Sequence, residues 1–185
     1  MPDFNRSVEA QEVFKTKRKP KGPIKFNIQL NEEQKRAKEQ ILGNVVTVLK
    51  GKAGSGKSLL AANVALDLLF SREIEKCIAE GSIEIVPVSF MRGRNFTDCL
   101  VVVDEAQNLT DNQTELLLTR ICSGSKMIFC GDGAQIDLKD RKTSGFDVVC
   151  KHMKDVPGFE VVTLQKNHRH EIVEHILEVY KDIRG

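Results

Sequence analysis

The sequence predicts an α/β domain, a parallel sheet with helices on both faces, and three observations carry that expectation. Strand-like and helix-like stretches alternate along the 185 residues, the pattern of a sheet built from crossover units. The run Cys99-Leu100-Val101-Val102-Val103 is apolar almost without interruption, as expected of a central parallel strand covered on both faces. A glycine-rich loop over residues 51–58 joins a β-branched run to a stretch with the apolar spacing of a buried helix.

The elements follow in order. Residues 1–27 read as a basic, flexible leader with one short helical piece around 7–14, and residues 28–185 as one domain. From Val13 to Leu30 there is no acid, while Lys15, Lys17, Arg18, Lys19, Lys21 and Lys25 crowd together with Pro20 and Pro23. Such an arm either contacts nucleic-acid phosphates through counterion release or is simply solvated. Asn31 caps a polar helix that runs to about Leu42, and Gly43-Asn44 turns the chain into a strand over 45–49. A helix over 58–70 comes next, then strands at 83–86 and 99–103. Thr110 or Asp111 caps a helix whose Leu116, Leu117, Leu118 and Ile121 face the core, with Gly124 near its end. A fourth strand is expected at 126–130, a helix at 144–153, a fifth strand at 160–164 and a closing helix at 170–183.

Composition narrows the class. With 41% hydrophobic and 29% charged residues, the chain can build one core of this size and too little for two large ones. No apolar run approaches 18 residues and no basic-then-apolar leader follows Met1, so a soluble, cytoplasmic protein without a membrane partner is expected. Cys77, Cys99, Cys122, Cys130 and Cys150 are odd in number and far apart, which fits reduced, buried thiols better than a disulfide framework. No CxxC pair exists to anchor zinc, and the spacing of His168, His170 and His175 is not one helical turn, so these read as ordinary polar residues.

The chemistry concentrates in Gly51-Lys52-Ala53-Gly54-Ser55-Gly56-Lys57-Ser58, which matches the phosphate-binding pattern GxxxxGK[ST] at every required position. Glycines let the backbone wind around a phosphate so that N–H groups point inward at the positive end of the following helix. Gly51, Ala53, Gly54, Ser55, Gly56, Lys57 and Ser58 are therefore expected to bind ATP, with Lys57 neutralising the β- and γ-phosphates and Ser58 ligating Mg²⁺. Such a loop needs an acid at the end of a neighbouring buried strand, and Asp104 and Glu105 follow Val101-Val102-Val103. Asp104 is expected to hold Mg²⁺ through a water, and Glu105 to polarise or deprotonate the attacking water. The plainer alternative is that the two acids cap the next helix. Paired acids favour hydrolysis over kinase-type transfer, and the lack of an NKxD tetrad weighs against GTP.

Asp104-Glu105-Ala106-Gln107 and Gly131-Asp132-Gly133-Ala134-Gln135 resemble the motor core of superfamily-one helicases. Phe90-Met91-Arg92-Gly93-Arg94-Asn95, Leu118-Thr119-Arg120-Ile121, Ser125-Lys126-Met127 and Gln135-Ile136-Asp137-Leu138 resemble, more closely, the PhoH-like family of phosphate-starvation-inducible ATP-binding proteins, phage-encoded ones included. The likeness covers about residues 28–183. It implies a single RecA-like lobe of the P-loop NTPase class, and so fixes the fold class as α/β. It implies that Gln135 senses the γ-phosphate, where the alternative is a glutamine that satisfies backbone groups in a turn. Asn31-Glu32-Glu33-Gln34 resembles the adenine-reading element, with the Gln34 amide on the base, against the alternative of a solvated helix position. Asn167-His168-Arg169 resembles the segment whose arginine reaches the γ-phosphate.

Arg92, Arg94 and Arg120 compete with Arg169 for that role or are surface residues. Flanked by Phe90 and Phe96, Arg92 and Arg94 could equally grip single-stranded nucleic acid. The resemblance implies a Mg-dependent ATPase acting on RNA or single-stranded DNA, with unwinding as one form of that action. The alternative is an ATP-gated module that binds nucleic acid or protein with little mechanical work. A single lobe must borrow the opposite wall of its site from a second copy, which implies a homo-oligomer, a ring with six copies favoured. If phage-encoded, it would work in the host cytoplasm. One departure stands out: only residues 71–82, read as helix, separate the loop's helix from the next strand-like run, where the family has another strand and several tens of further residues. Either this is a deletion variant or a stretch near 70–75 is omitted; omission is favoured, and a Cα–Cα step well beyond 3.8 Å would reveal it.

Overall fold

The computed structural model describes residues 29–68, 81, 83–138 and 144–184. The leader with its helical piece, the stretch 69–80 and the Cα step near 70–75 lie outside the described residues. The first helix, α1 (Glu32–Gly43), opens with a capping box. Asn31 Oδ1 accepts from the Gln34 N–H at 2.8 Å, and Gln34 Oε1 accepts from the Asn31 N–H at 3.1 Å. Next come β1 (Val46–Gly51), α2 (Lys57–Leu68), β2 (Leu100–Val103), α3 (Asp111–Leu118), β3 (Lys126–Gly131), α4 (Gly145–His152), β4 (Phe159–Leu164) and α5 (Ile172–Arg184).

The four strands pair in the order β2-β3-β1-β4, all parallel. Alternate side chains along each strand feed opposite faces, and each face has its own core. Val46, Val48, Met127 and Phe129 pack with Leu117 of α3 and Phe146 and Val149 of α4. Leu49, Ile128 and Cys130 pack with Ala37 and Ile41 of α1 and Leu60, Ala61 and Val64 of α2. Helices therefore cover both faces, as expected. Because the strands are parallel, Gly51, Val103, Gly131 and Leu164 all end at one edge, and the loops that follow them meet there.

Three expectations need correction. Residues 83–86 are not a strand among the described residues; Ile85 is 86% exposed, while Val86 and Val88 pack against the core on the α3/α4 face. Their apolar character reflects a loop folded onto that core, and Pro87 follows at once, so no ladder forms. Among the described residues the apolar 99–103 run is an edge strand rather than a central one, with Val102 41% exposed and β3 its partner in the sheet. In α3, Leu117 is buried and Leu118 packs on the core, but Leu116 is only half-buried. Ile121 reaches the core from beyond the helix, through a bridge to Phe96.

Candidate nucleotide-binding site

β1 delivers the chain into the glycine-rich loop, and the glycines there are required by space as well as conformation. Gly54 and Gly56 have φ of +89° and +82°, in the left-handed region that other residues enter at a cost. A Cβ on Gly56 would lie 2.6 Å from Gln34 Nε2, and one on Gly54 would lie 2.5 Å from Arg169 Cγ and 2.7 Å from Asn167 Oδ1. Lys57, the first residue of α2, turns its Nζ back to donate to the carbonyls of Gly51 (2.8 Å) and Lys52 (3.1 Å). Ser55 is buried at 2% exposure, and its Oγ makes no hydrogen bond.

Across the cleft, Ser58 Oγ donates to Asp104 Oδ1 at 2.8 Å, and the same oxygen accepts from the Glu105 N–H at 3.0 Å. A hydroxyl and a carboxylate meeting beside a lysine ammonium are hard oxygen donors of the kind Mg²⁺ takes together with phosphate oxygens and water. The residues present thus fit a magnesium nucleotide, with Ser58 and Asp104 able to hold the metal. Among the described residues no group of three or more His, Cys, Asp or Glu could hold a metal by itself. A Mg²⁺ ion at this site would rely on phosphate and water for its other ligands.

Glu105 sits in the left-handed region, φ 51° and ψ 36°. Its Oε2 accepts from Gln107 Nε2 at 2.6 Å, and Gln107 Oε1 accepts from the Asp132 N–H at 3.1 Å. Asp132, 8% exposed, accepts from the loop's Ala53 N–H at 2.9 Å and from the Ala134 N–H at 3.0 Å. Sequence reasoning gave Gln107 and Asp132 no role, although both stand in the motif strings it quoted. The signal available was a polar residue in the turn that follows a strand, twice.

Other expected residues are placed unevenly. Gln135 lines the same cleft with Lys57, Asp104, Glu105 and Asp132, and its side chain is exposed. Gln34 is 4% exposed; its oxygen serves the capping box and its amide nitrogen faces Gly56. Arg169 is exposed over Gly54, in a segment latched to the loop by the His168 N–H on the Gly54 carbonyl (2.9 Å). That segment is also latched to α1. Glu33 accepts from the N–H groups of Gln165 and Lys166, and Asn31 Nδ2 lies 3.0 Å from His168 Nε2. Arg92, Arg94 and Arg120 do not line the cleft. Arg94 is held by Glu84 in a two-pronged pair at 2.8 and 2.7 Å, which pushes the arginine's pKa up and the glutamate's down. Arg92 is exposed, and Arg120 is half-buried.

Beneath the site, Cys130 at the end of β3 is fully buried. Burial, reinforced by the Asp104 charge and opposed by Lys57, pushes its thiol up to about 12. A larger concavity lies between α1 and α2, lined by Leu30, Lys35, Leu42 and Asn63, and Lys38 spans it to Asn63 and Asp67. It lacks the converging hydroxyl, ammonium and carboxylates of the cleft.

A parallel sheet with this loop at the end of β1, and acids at the end of a strand in the same sheet, defines a P-loop NTPase. The family model for PhoH-like protein matches residues 28–80 and 67–181. The chain belongs to the PhoH-like family. It is 40% identical over 116 residues to a PhoH-like protein of Bacillus subtilis, covering 62% of this chain and 36% of that protein. To a PhoH-like protein of Synechocystis sp. it is 32% identical over 185 residues, covering 74% and 56%. To protein PhoH2 of Mycolicibacterium smegmatis it is 33% identical over 111 residues, covering 60% and 25%. The chain thus spans between about a quarter and just over half the length of these relatives. Among solved structures, the Pif1 helicase from Candida albicans aligns with a TM-score of 0.46 at 15% identity, covering 85% of this chain and 44% of that one. Bacteroides Pif1 bound to ssDNA aligns with a TM-score of 0.47 at 16% identity, covering 82% and 45%.

Proposed function

We propose that this domain is a Mg²⁺-dependent ATPase that works as a homo-oligomer on RNA or single-stranded DNA in the cytoplasm. The observation that carries the reading is the 2.8 Å contact between Ser58 Oγ and Asp104 Oδ1, with Glu105 beside it and Lys57 opposite. The amides of Gly54, Gly56, Lys57 and Ser58 would cradle the phosphates, while the Ala53 N–H stays with Asp132, and Lys57 would leave the carbonyls of Gly51 and Lys52 to bind the β- and γ-oxygens. Ser58 and Asp104 would exchange their mutual hydrogen bond for the metal, which when bound offsets phosphate charge and fixes the β- and γ-groups. Glu105 would take a proton from the water that attacks the γ-phosphorus as the bond to the bridging oxygen breaks and ADP leaves. Gln135 and Arg169, exposed at the mouth, would contact the γ-phosphate, and Gln34 would border the base.

Exposed Phe90 and Arg92, together with the basic leader, support the nucleic-acid partner. A second copy placed against this lobe would close the open side of the cleft, and a ring is the closed symmetry that does so for every copy. No helix among the described residues is long and apolar enough to cross a membrane. One observation favours the alternative of an ATP-gated binding module: α5 exposes Ile172, Ile176, Val179 and Ile183, a face suited to assembly.

The test is ATP turnover by wild type and Glu105→Gln, each with and without RNA or single-stranded DNA. Turnover that falls by about 10²–10⁴-fold in Glu105→Gln, and wild-type turnover that rises with a strand present, is the expected result. Unchanged turnover in Glu105→Gln removes the water-activating role. Turnover indifferent to every strand supports the binding module instead.

A further inference from the structure

Gln107 is 1% exposed, and the ATPase reading gives it no task. A primary amide is costly to bury unless both of its ends are used. Here both are. The Asp132 N–H can only donate, so the Gln107 atom it meets at 3.1 Å is the oxygen, and the amide nitrogen must then face Glu105. The amide orientation is therefore fixed by chemistry. The backbone of Gln107 is pinned as well, because its carbonyl accepts from Ser144 Oγ, fully buried at the start of α4, at 2.9 Å. On the far side, Asp132 reaches the Ala53 N–H of the phosphate loop at 2.9 Å. One unbroken run of hydrogen bonds thus joins the loop to Glu105 through Asp132 and Gln107.

Glu105 needs such a hold. Its left-handed backbone is costly for a residue with a Cβ and persists only where the surroundings impose it. The last torsion of a glutamate side chain is broad, so a solitary carboxylate would sample many orientations. At 2.6 Å, a charge-assisted bond to Oε2 fixes that torsion and leaves Oε1 as the oxygen available to a water.

We propose that Gln107 is the positioning residue for Glu105: its amide aims the carboxylate at the attacking water and couples that aim to the phosphate loop through Asp132. This rests on the ATPase reading above, and on Glu105 as the group that activates water. It predicts an effect on the rate of the chemical step and not on nucleotide affinity, because the phosphates are held by the loop, Lys57 and the metal ligands.

The test uses the full chain with magnesium and ATP. Gln107→Glu keeps the shape and an oxygen for the Asp132 N–H but replaces the amide donor by a second carboxyl that either repels Glu105 or shares a proton with it, whereas Gln107→Leu loses both bonds. Each variant, alone and combined with Glu105→Gln, is followed by single-turnover hydrolysis with protein in excess, by titration with a fluorescent ATP analogue and by thermal unfolding. The expected result is a hydrolysis rate lowered by roughly 10- to 100-fold, affinity for the analogue within about threefold of wild type, and no further loss when either change is added to Glu105→Gln. Wild-type hydrolysis in either single variant overturns the inference. So does a loss that adds in full to that of Glu105→Gln, or one that tracks analogue affinity and Tm, since a purely structural glutamine would behave in those ways. If Gln107→Leu fails to fold, Gln107→Glu alone decides. Should Glu105→Gln itself hydrolyse at the wild-type rate, the water-activating role of Glu105 falls and takes the inference with it. A silent Gln107→Glu beside a defective Glu105→Gln sinks the inference only.

Discussion

Lys57, Ser58, Asp104, Gln107 and Asp132 each hold a hydrogen bond to another part of the site, whereas Gln135, at the mouth of the same cleft, and Arg169 and Arg92, outside it, carry exposed side chains. The inner groups are already oriented, and Gln107 and Asp132 are buried as well, so the protein meets their cost of ordering when it folds. The outer groups stay hydrated, and any energy they give must come when a ligand or another subunit arrives. Changes to the wall should therefore be large and visible in the isolated chain. Changes outside it should be small until a partner is present.

The largest expected effect comes from the wall. Lys57→Ala removes the ammonium that closes the loop onto Gly51 and Lys52, and it should lower ATP turnover by on the order of 100-fold or more. Calorimetric titration with magnesium-loaded ATP should show a matching loss of affinity. Arg94→Ala breaks an exposed pair with Glu84 away from the cleft and should leave that titration unchanged. Equal defects in the two variants would erase the distinction between wall and exterior.

A smaller effect tests where wall and rim touch. Gly54→Ala forces a Cβ into a left-handed backbone, at about 1–2 kcal/mol, and onto Arg169 Cγ and Asn167 Oδ1. A Tm lower by roughly 2–8 °C is expected. Adding Arg169→Ala should restore part of it, because the arginine's Cγ and Cδ are gone while the backbone strain remains. No recovery at all would mean that the segment after β4 yields without cost, and that its latch to the loop is loose.

The same division explains what the sequence revealed. The loop, Asp104 and Glu105 were legible because phosphate chemistry demands particular residues at fixed spacing. Asn31 as a cap was legible because a polar residue at a helix start has a local partner, here Gln34. Periodicity, in contrast, reports burial and not neighbours. Val101-Val102-Val103 looked central because it is apolar, yet among the described strands β2 lies at the sheet edge. Ile83-Glu84-Ile85-Val86 alternated as a strand does, yet only Val86 of its aliphatic residues packs on the core, and Ile85 faces solvent. Arg94 read as a candidate γ-phosphate or nucleic-acid contact because nothing local announces its pairing with Glu84, ten residues back. Gln107 and Asp132 were hidden for a similar reason: their partners, Asp132 N–H and Ala53 N–H, are 25 and 79 residues away.

The smallest expected effect, absent at neutral pH, asks whether the wall is closed from below. Cys130 underlies the cleft with its thiol raised from the ordinary 9.0 to about 12, chiefly by burial. Below pH 9 the thiol is neutral in folded and unfolded chains alike, so its contribution to stability is intact. As pH rises from 9 towards 12 the unfolded chain releases this proton and the folded one keeps it. Stability then falls by about 1.4 kcal/mol per pH unit from this group alone. Urea unfolding at pH 8, 9 and 10 should show that decline in wild type, and a shallower one in Cys130→Ala, which begins from a lower value because a small cavity replaces the sulfur. Cys150, raised to about 11 by burial, contributes equally to both proteins and cancels in the difference. Parallel slopes would mean that solvent already reaches the sulfur through the cleft. The floor of the cleft would then be wet, and the contrast in expected effects between Lys57→Ala and Arg94→Ala would lose part of its physical basis.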